Sequence, residues 1–201
     1  MLNYDLRFNF DDLERHGDLW IWKNVVSDPD WLLDTVRKES YFEWQDCKRA
    51  NGESLGKEKR LFATGAPGTD GINELSFYIL QAFNTFQFNA ANHILQEKGL
   101  SSKDYDWALG TLALRIWESS DPMTEHSDVH FINGKEVVPD FQSIYYLTEN
   151  LEGAEIFFPE INFTLKDLHN TLIIFPGAML HGVNGIKSGY RLFMGRPIIR
   201  K

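Results

Sequence analysis

One cysteine, Cys47, stands in 201 residues, and a lone thiol closes no internal disulfide. That scarcity points to a reducing, cytoplasmic setting. No apolar run approaches the roughly 18–20 residues of a membrane-spanning helix, so no membrane role is expected. The opening MLNYDLRFNFDDLERHGD has neither the basic start nor the apolar stretch of a secretory signal. Basic residues are outnumbered, 20 Lys and Arg against 29 Asp and Glu, for a formal charge of -9. That balance opposes general nucleic-acid binding, which relies on clustered cations to neutralise phosphates. Internal repeats and low-complexity tracts are absent too.

What is present suits one folded domain. A hydrophobic content of 43% and an aromatic content of 14% are well above those of disordered chains. The length supports one sizeable core across residues 1–201 and is too short for two independent ones. Residues 19–26, LWIWKNVV, are apolar at both parities and rich in aromatic and β-branched types, which predicts a buried strand. Ser27, Asp28 and Pro29 then supply capping chemistry for a helix through DPDWLLDTVRKES. From Ile72, apolar residues recur every three or four positions through Leu75, Ile79, Phe83, Phe86, Ala90 and Ile94. This predicts an amphipathic helix ending near Gly99. Phe77 and Phe88 lie off that stripe, so either the face is broad or the helix breaks near TFQF.

Between these helices, residues 47–71 are rich in Gly, Lys and Glu and read as long loops or a hairpin. The segment is locally basic, through Lys48, Arg49, Lys57, Lys59 and Arg60, and is either a wall beside an acidic substrate or a solvated loop. After residue 107 the texture changes to short β-rich runs, including LALRIW, FQSIYYL, TLIIF and YRLFMGRPII. Turn signals separate them: NG at 133–134, EG at 152–153 and PG at 176–177. Helices followed by many short strands predict a mainly β sandwich, barrel or jelly roll with N-terminal helices.

The chemistry concentrates in EHSDVH, residues 125–130. As a strand it would project His126, Asp128 and His130 to one face. His126 and Asp128 can then share an ion, with His181 of PGAMLHGV the leading candidate for a third ligand. Two imidazoles and one carboxylate on one face of an octahedron leave positions open, which fits non-haem Fe(II) activating O2. A closed zinc site would use cysteine or a fourth histidine. His130, one repeat further on, is expected at the rim or behind the ligands, and His16, His93 and His169 have no partner spacing. Arg191 follows ten residues after His181, and a hairpin turning at GIKSG would bring it back beside the His181 strand. There it serves either a co-substrate carboxylate or a structural ion pair.

The ordered set His126-x-Asp128, His181 and Arg191 resembles the signature of the 2-oxoglutarate and Fe(II)-dependent dioxygenases. LRIWESSDPMTEHSD, SIYYLTENLEGAEIFFPE and NTLIIFPGAMLHGVNGIKSGYR resemble its prolyl-4-hydroxylase-like branch. The resemblance covers about residues 112–197. It implies a double-stranded β-helix (jelly roll, cupin-like) core over about 107–201, supported by an N-terminal strand and helices over about 1–106. It implies iron ligation by His126, Asp128 and His181, and capture of the distal carboxylate of 2-oxoglutarate by Arg191. Tyr146 falls where relatives place a tyrosine that bonds that carboxylate, or else is a core aromatic. Trp117 replaces the tyrosine usual nine residues before the first ligand; its indole donates a hydrogen bond but cannot accept one.

By the same resemblance, Fe(II), 2-oxoglutarate and O2 are the cofactor and co-substrates, with ascorbate as an accessory reductant. The reaction is hydroxylation of an unactivated C–H bond, because halogenating relatives lack the carboxylate that Asp128 provides. A prolyl residue of a peptide or protein is the implied substrate; a free amino acid, a small metabolite and a nucleobase remain open. Two other classes also stay open: a cupin-like binding module, and a hydrolase or isomerase using zinc or manganese.

Overall fold

The computed structural model describes residues 6–38, 45–48, 54–63, 74–106, 113–132 and 134–201. The first hundred residues supply strands β1 (Leu13–His16), β2 (Leu19–Trp22), β3 (Gln45–Lys48) and β4 (Ser54–Ala63). They also supply helices α1 (Pro29–Lys38) and α2 (Glu74–Glu97). The remainder is almost entirely strand: β5 (Tyr105–Asp106), β6 (Ala113–Ser120), β7 (Met123–His126), β8 (His130–Ile132), β9 (Lys135–Val137) and β10 (Phe141–Gly153) come first. They are followed by β11 (Ile156–Phe158), β12 (Phe163–Leu165), β13 (Thr171–Phe175), β14 (His181–Val183) and β15 (Ile186–Arg200).

The protein is mainly β, and its strands pair antiparallel in an arrangement consistent with a jelly-roll core. A nine-stranded sheet runs β1-β2-β13-β10-β15-β6-β4-β3, with β5 pairing β15; a four-stranded sheet runs β12-β11-β14-β7. β8 and β9 form a separate ribbon turning at Gly134, φ 76°. Strands from both sides of residue 106 thus build the large sheet.

Side-chain alternation along the central strands explains why their sequences are apolar at both parities. Trp20, Trp22, Leu172, Ile174, Tyr145, Leu147, Leu192 and Met194 pack with the helices in one core. Their neighbours Leu19, Ile21, Ile173, Phe175 and Tyr146 pack with the small sheet in a second core. The central strands β2, β13, β10 and β15 are therefore buried on both faces.

The helices follow the expected chemistry. The Asp28 carboxylate accepts the Trp31 N–H at 2.9 Å, capping α1 with Pro29 at its first position. Helix α2 continues unbroken through residues 85–88. It buries Ile79, Phe83, Phe86, Ala90 and Ile94 and the adjoining stripe of Leu80, Gln87, Ala91 and Leu95, so its inner face is broad. Its end is set by Gly99 at φ 69°, with the Leu100 N–H donating to the Leu95 carbonyl and the Gly99 N–H to that of Gln96. Among the described residues, no helix is long and apolar enough to cross a membrane.

Several sequence expectations need correction. The strand predicted over residues 19–26 ends at Trp22, because Asn24 turns left-handed at φ 52°; Val25 and Val26 are buried beyond it. The 47–71 segment, expected as long loops or a hairpin, takes the second form in the antiparallel β3–β4 pair at the edge of the large sheet, while residues 49–53 and 64–73 and the side chains of its basic residues lie outside the described residues. The EG at 152–153 is the bulged end of β10. HSDVH is not one strand, since β7 stops at His126 and β8 begins at His130. Nor does β15 form a hairpin with β14: β14 pairs β11 and β7 in the small sheet, and the chain crosses to the large sheet before Ile186.

One polar residue locks the N-terminal segment onto the sandwich. Asn170, buried at φ 49°, accepts the Val26 N–H and donates to the Val26 carbonyl, both at 2.8 Å, and accepts the Tyr145 hydroxyl at 3.1 Å. Replacing it by alanine leaves these groups buried and unpaired. Asn170→Ala is expected to lose about 2–4 kcal/mol, read as a lower urea midpoint at an unchanged slope.

Candidate active site

The two histidines meet because of strand register. β14 and β7 pair antiparallel with His181 directly opposite His126, and the imidazole centroids are 4.4 Å apart. Asp128 arrives on irregular backbone, held by its N–H donating to the Gly177 carbonyl at 2.9 Å, so the PG turn, and not strand alternation, positions it. His181 Nε2 is 3.9 Å from Asp128 Oδ2. One ligand atom from each of the three residues lies within 4.8 Å of the others, so the trio can hold a metal ion.

Both rings are oriented for ligation. His126 Nδ1 donates to the Thr124 carbonyl at 2.8 Å and His181 Nδ1 to the Met179 carbonyl at 3.1 Å. A carbonyl only accepts, so each Nδ1 carries the proton and each Nε2 keeps its lone pair for a metal. Burial pushes the His181 pKa down, against the opposing pull of Asp128 and the Met179 carbonyl, which favours the neutral ring that metals bind.

The trio opens onto a cavity of about 380 Å³ between the two sheets, a size suited to a small-molecule site. His126, Asp128 and His181 line one wall, and Trp117, Tyr146, Arg191 and Phe193 line the other. Arg191 is buried, with its guanidinium 5.4 Å from the ring centroids of Trp117 and Phe193 and 6.0 Å from that of Tyr146. Its Nε and Nη1 are buried without a hydrogen-bond partner. Burial pushes its pKa down, yet a guanidinium stays charged near neutral pH. Burial likewise holds the Tyr146 phenol in its neutral form.

These vacant bonds fit the expected cofactors. Asp128 Oδ2 is also buried and unpartnered. A divalent cation would satisfy that carboxylate, and a planar anion would satisfy the guanidinium.

The structure thus brings all six residues singled out in the sequence to one cavity. His130 does not join the trio, and its Nε2 is buried without a partner. His169 binds the Thr148 carbonyl at 2.8 Å, and His16 stacks on Phe163. Sequence reasoning missed Phe193 and Gln142 in the cavity wall, although each shares strand parity with a predicted residue: Phe193 with Arg191, Gln142 with Tyr146. The orienting carbonyls of Thr124 and Met179 carry no side-chain signal at all.

No family model and no curated protein matches the sequence. Among solved structures, the fold is that of 2-oxoglutarate-Fe(II) oxygenases and prolyl hydroxylases. It is similar to an oxidoreductase of the 2OG-Fe(II) oxygenase family from Burkholderia pseudomallei, at a TM-score of 0.63 and 12% identity over 92% of this chain and 86% of that one. It is also similar to a Pseudomonas putida prolyl-4-hydroxylase, at a TM-score of 0.58 and 14% identity over 92% and 94% of the two chains.

An unpaired charge in a closed apolar wall opposes folding. Arg191→Met keeps the bulk and removes the charge, at the loss of contacts to three rings worth less than the desolvation cost. The variant is expected to be more stable by about 1–3 kcal/mol in the absence of ligands, seen as a higher Tm.

Proposed function

We propose that the protein is a 2-oxoglutarate- and Fe(II)-dependent dioxygenase with a double-stranded β-helix core, which hydroxylates an unactivated C–H bond, with a prolyl residue of a peptide or protein as its substrate. The observation carrying this reading is the presence, in one cavity, of a His-Asp-His trio and a buried guanidinium with free donors. A metal-binding module or a hydrolase needs the first but has no use for the second. The prolyl assignment is supported by likeness in fold to the Pseudomonas putida enzyme and by the sequence motifs of residues 112–197.

In this reading His126, Asp128 and His181 would hold the iron, and the cavity they line would take 2-oxoglutarate. Arg191 grips the distal carboxylate in a low-dielectric setting where the pair is strong, and Tyr146 offers its hydroxyl to the same group. Trp117 and Phe193 flank the guanidinium and keep water from it. Bound together, Fe(II) and 2-oxoglutarate supply oxidation by O2: the keto acid leaves as succinate and CO2, with one oxygen atom entering succinate and the other the substrate C–H bond. The Thr124 and Met179 carbonyls keep both imidazoles in the ligating tautomer throughout.

Purified protein with Fe(II), ascorbate and 2-oxoglutarate is expected to form succinate and to add one oxygen atom to proline-containing peptides, detected by mass spectrometry. His126→Ala and Asp128→Ala should each lower succinate formation by about 100-fold or more, in line with the loss of a metal ligand. Wild-type turnover in either variant would rule the reading out. Chelation should abolish the activity, and Fe(II) should restore it where zinc does not.

A further inference from the structure

Four buried side-chain atoms of cavity-lining residues have no hydrogen-bond partner: Asp128 Oδ2, Arg191 Nε and Nη1, and Gln142 Oε1. The proposed function uses the first three. The fourth belongs to a side chain only 6% exposed, on the cavity face of β10 in line with Ile144 and Tyr146. A buried amide oxygen left unpaired is costly, and among the described residues nothing relieves it.

Its place along the strand shows which part of the cavity it serves. The Arg191 guanidinium lies 6.0 Å from the ring centroid of Tyr146, which is four residues along β10 from Gln142, or about 13 Å of extended chain. Gln142 is opposite Phe175, whose ring centroid is 4.8 Å from that of His181. The histidines thus stand over the Gln142 end, and a short diacid anchored at Arg191 and reaching the metal stays on the other side. The strand partners of Gln142 are Phe175 and Pro197, with Ile144 and Gly195 beside it on the cavity face, none charged; Arg115, the other cation lining the cavity, is further off, opposite Phe193 on β6. Such a corner suits a neutral hydrogen-bonding group. At Gly195 a β-carbon would come 3.3 Å from Gln142 Nε2, so glycine keeps room beside the amide for an incoming chain.

We propose that Gln142 and Gly195 form a subsite for the second substrate, in which the Gln142 carboxamide reads a peptide bond. A primary amide holds a donor and an acceptor in one plane and pairs with both the N–H and the C=O of a backbone amide. The location of this subsite rests on the proposed function, since 2-oxoglutarate is taken to fill the Arg191 end.

The test is calorimetry on the full chain loaded with Mn(II), a redox-inert substitute for Fe(II). Acetylated, amidated proline tripeptides are titrated with and without 2-oxoglutarate, and free proline is the comparison. Wild type should bind the blocked peptides more tightly than free proline. Gln142→Leu should weaken peptide binding about tenfold or more, while 2-oxoglutarate affinity stays within about twofold. Gly195→Ala, which leaves the amide in place but crowds it, should weaken the peptide in the same direction. Unchanged peptide affinity in Gln142→Leu, a selective loss of 2-oxoglutarate affinity in that variant, or equally tight binding of free proline would each overturn the subsite. Wild type that fails to bind 2-oxoglutarate overturns the proposed function instead, and the peptide titration without 2-oxoglutarate still decides the role of Gln142.

Discussion

Alternation of side chains along β2, β13, β10 and β15 is the constraint on which the rest of the molecule depends. Each of these strands buries both faces, so consecutive residues belong to different interiors: Tyr145 to the helix-packed core, Tyr146 to the inter-sheet core. A slip of β15 by one residue against β10 would exchange its two sets and point Leu192 where Arg191 now lies. The length of the β10–β15 pairing, from Phe141 opposite Ile198 to Thr148 and Glu149 opposite Arg191 and Tyr190, is what fixes the guanidinium in the cavity. Helix α2, packed on the far face, supports the site without touching it.

The small sheet contributes the complementary constraint. Its β7–β14 pairing places two imidazoles opposite each other, and two backbone carbonyls fix their tautomers. Because the acceptors are main-chain groups two residues before each histidine, orientation of the ligands follows from the fold itself and needs no further side chain. Asp128 is held differently, by the turn at Gly177. The site is therefore assembled from a rigid pair and a third group set by a loop contact.

Electrostatically the cavity is arranged at the expense of stability. An unpaired guanidinium and an unpartnered carboxylate oxygen both sit out of water. Groups that folding alone would not select are retained where ligands complete them, which is the usual physical mark of a functional site. The shared parity of Gln142, Ile144 and Tyr146 extends that logic along β10, from the guanidinium end of the cavity to the histidine end.

Much of this was legible in the residues. The stripe through Ile79, Phe83, Phe86, Ala90 and Ile94 specified α2, because burial every three or four residues leaves a periodic trace. The doubly apolar LWIW and TLIIF announced strands covered on both sides. The ligand and guanidinium residues were identifiable because His126, Asp128, His181 and Arg191 follow one another in the order and spacing of a known family signature. Other features were decided only in three dimensions. HSDVH breaks after His126, Arg191 reaches the cavity from across the sandwich and not along a hairpin, and Asn170 clasps Val26 far away in sequence. Those outcomes depend on pairing between distant strands and on backbone hydrogen bonds, which every residue can form alike and which therefore leave no local mark in the sequence.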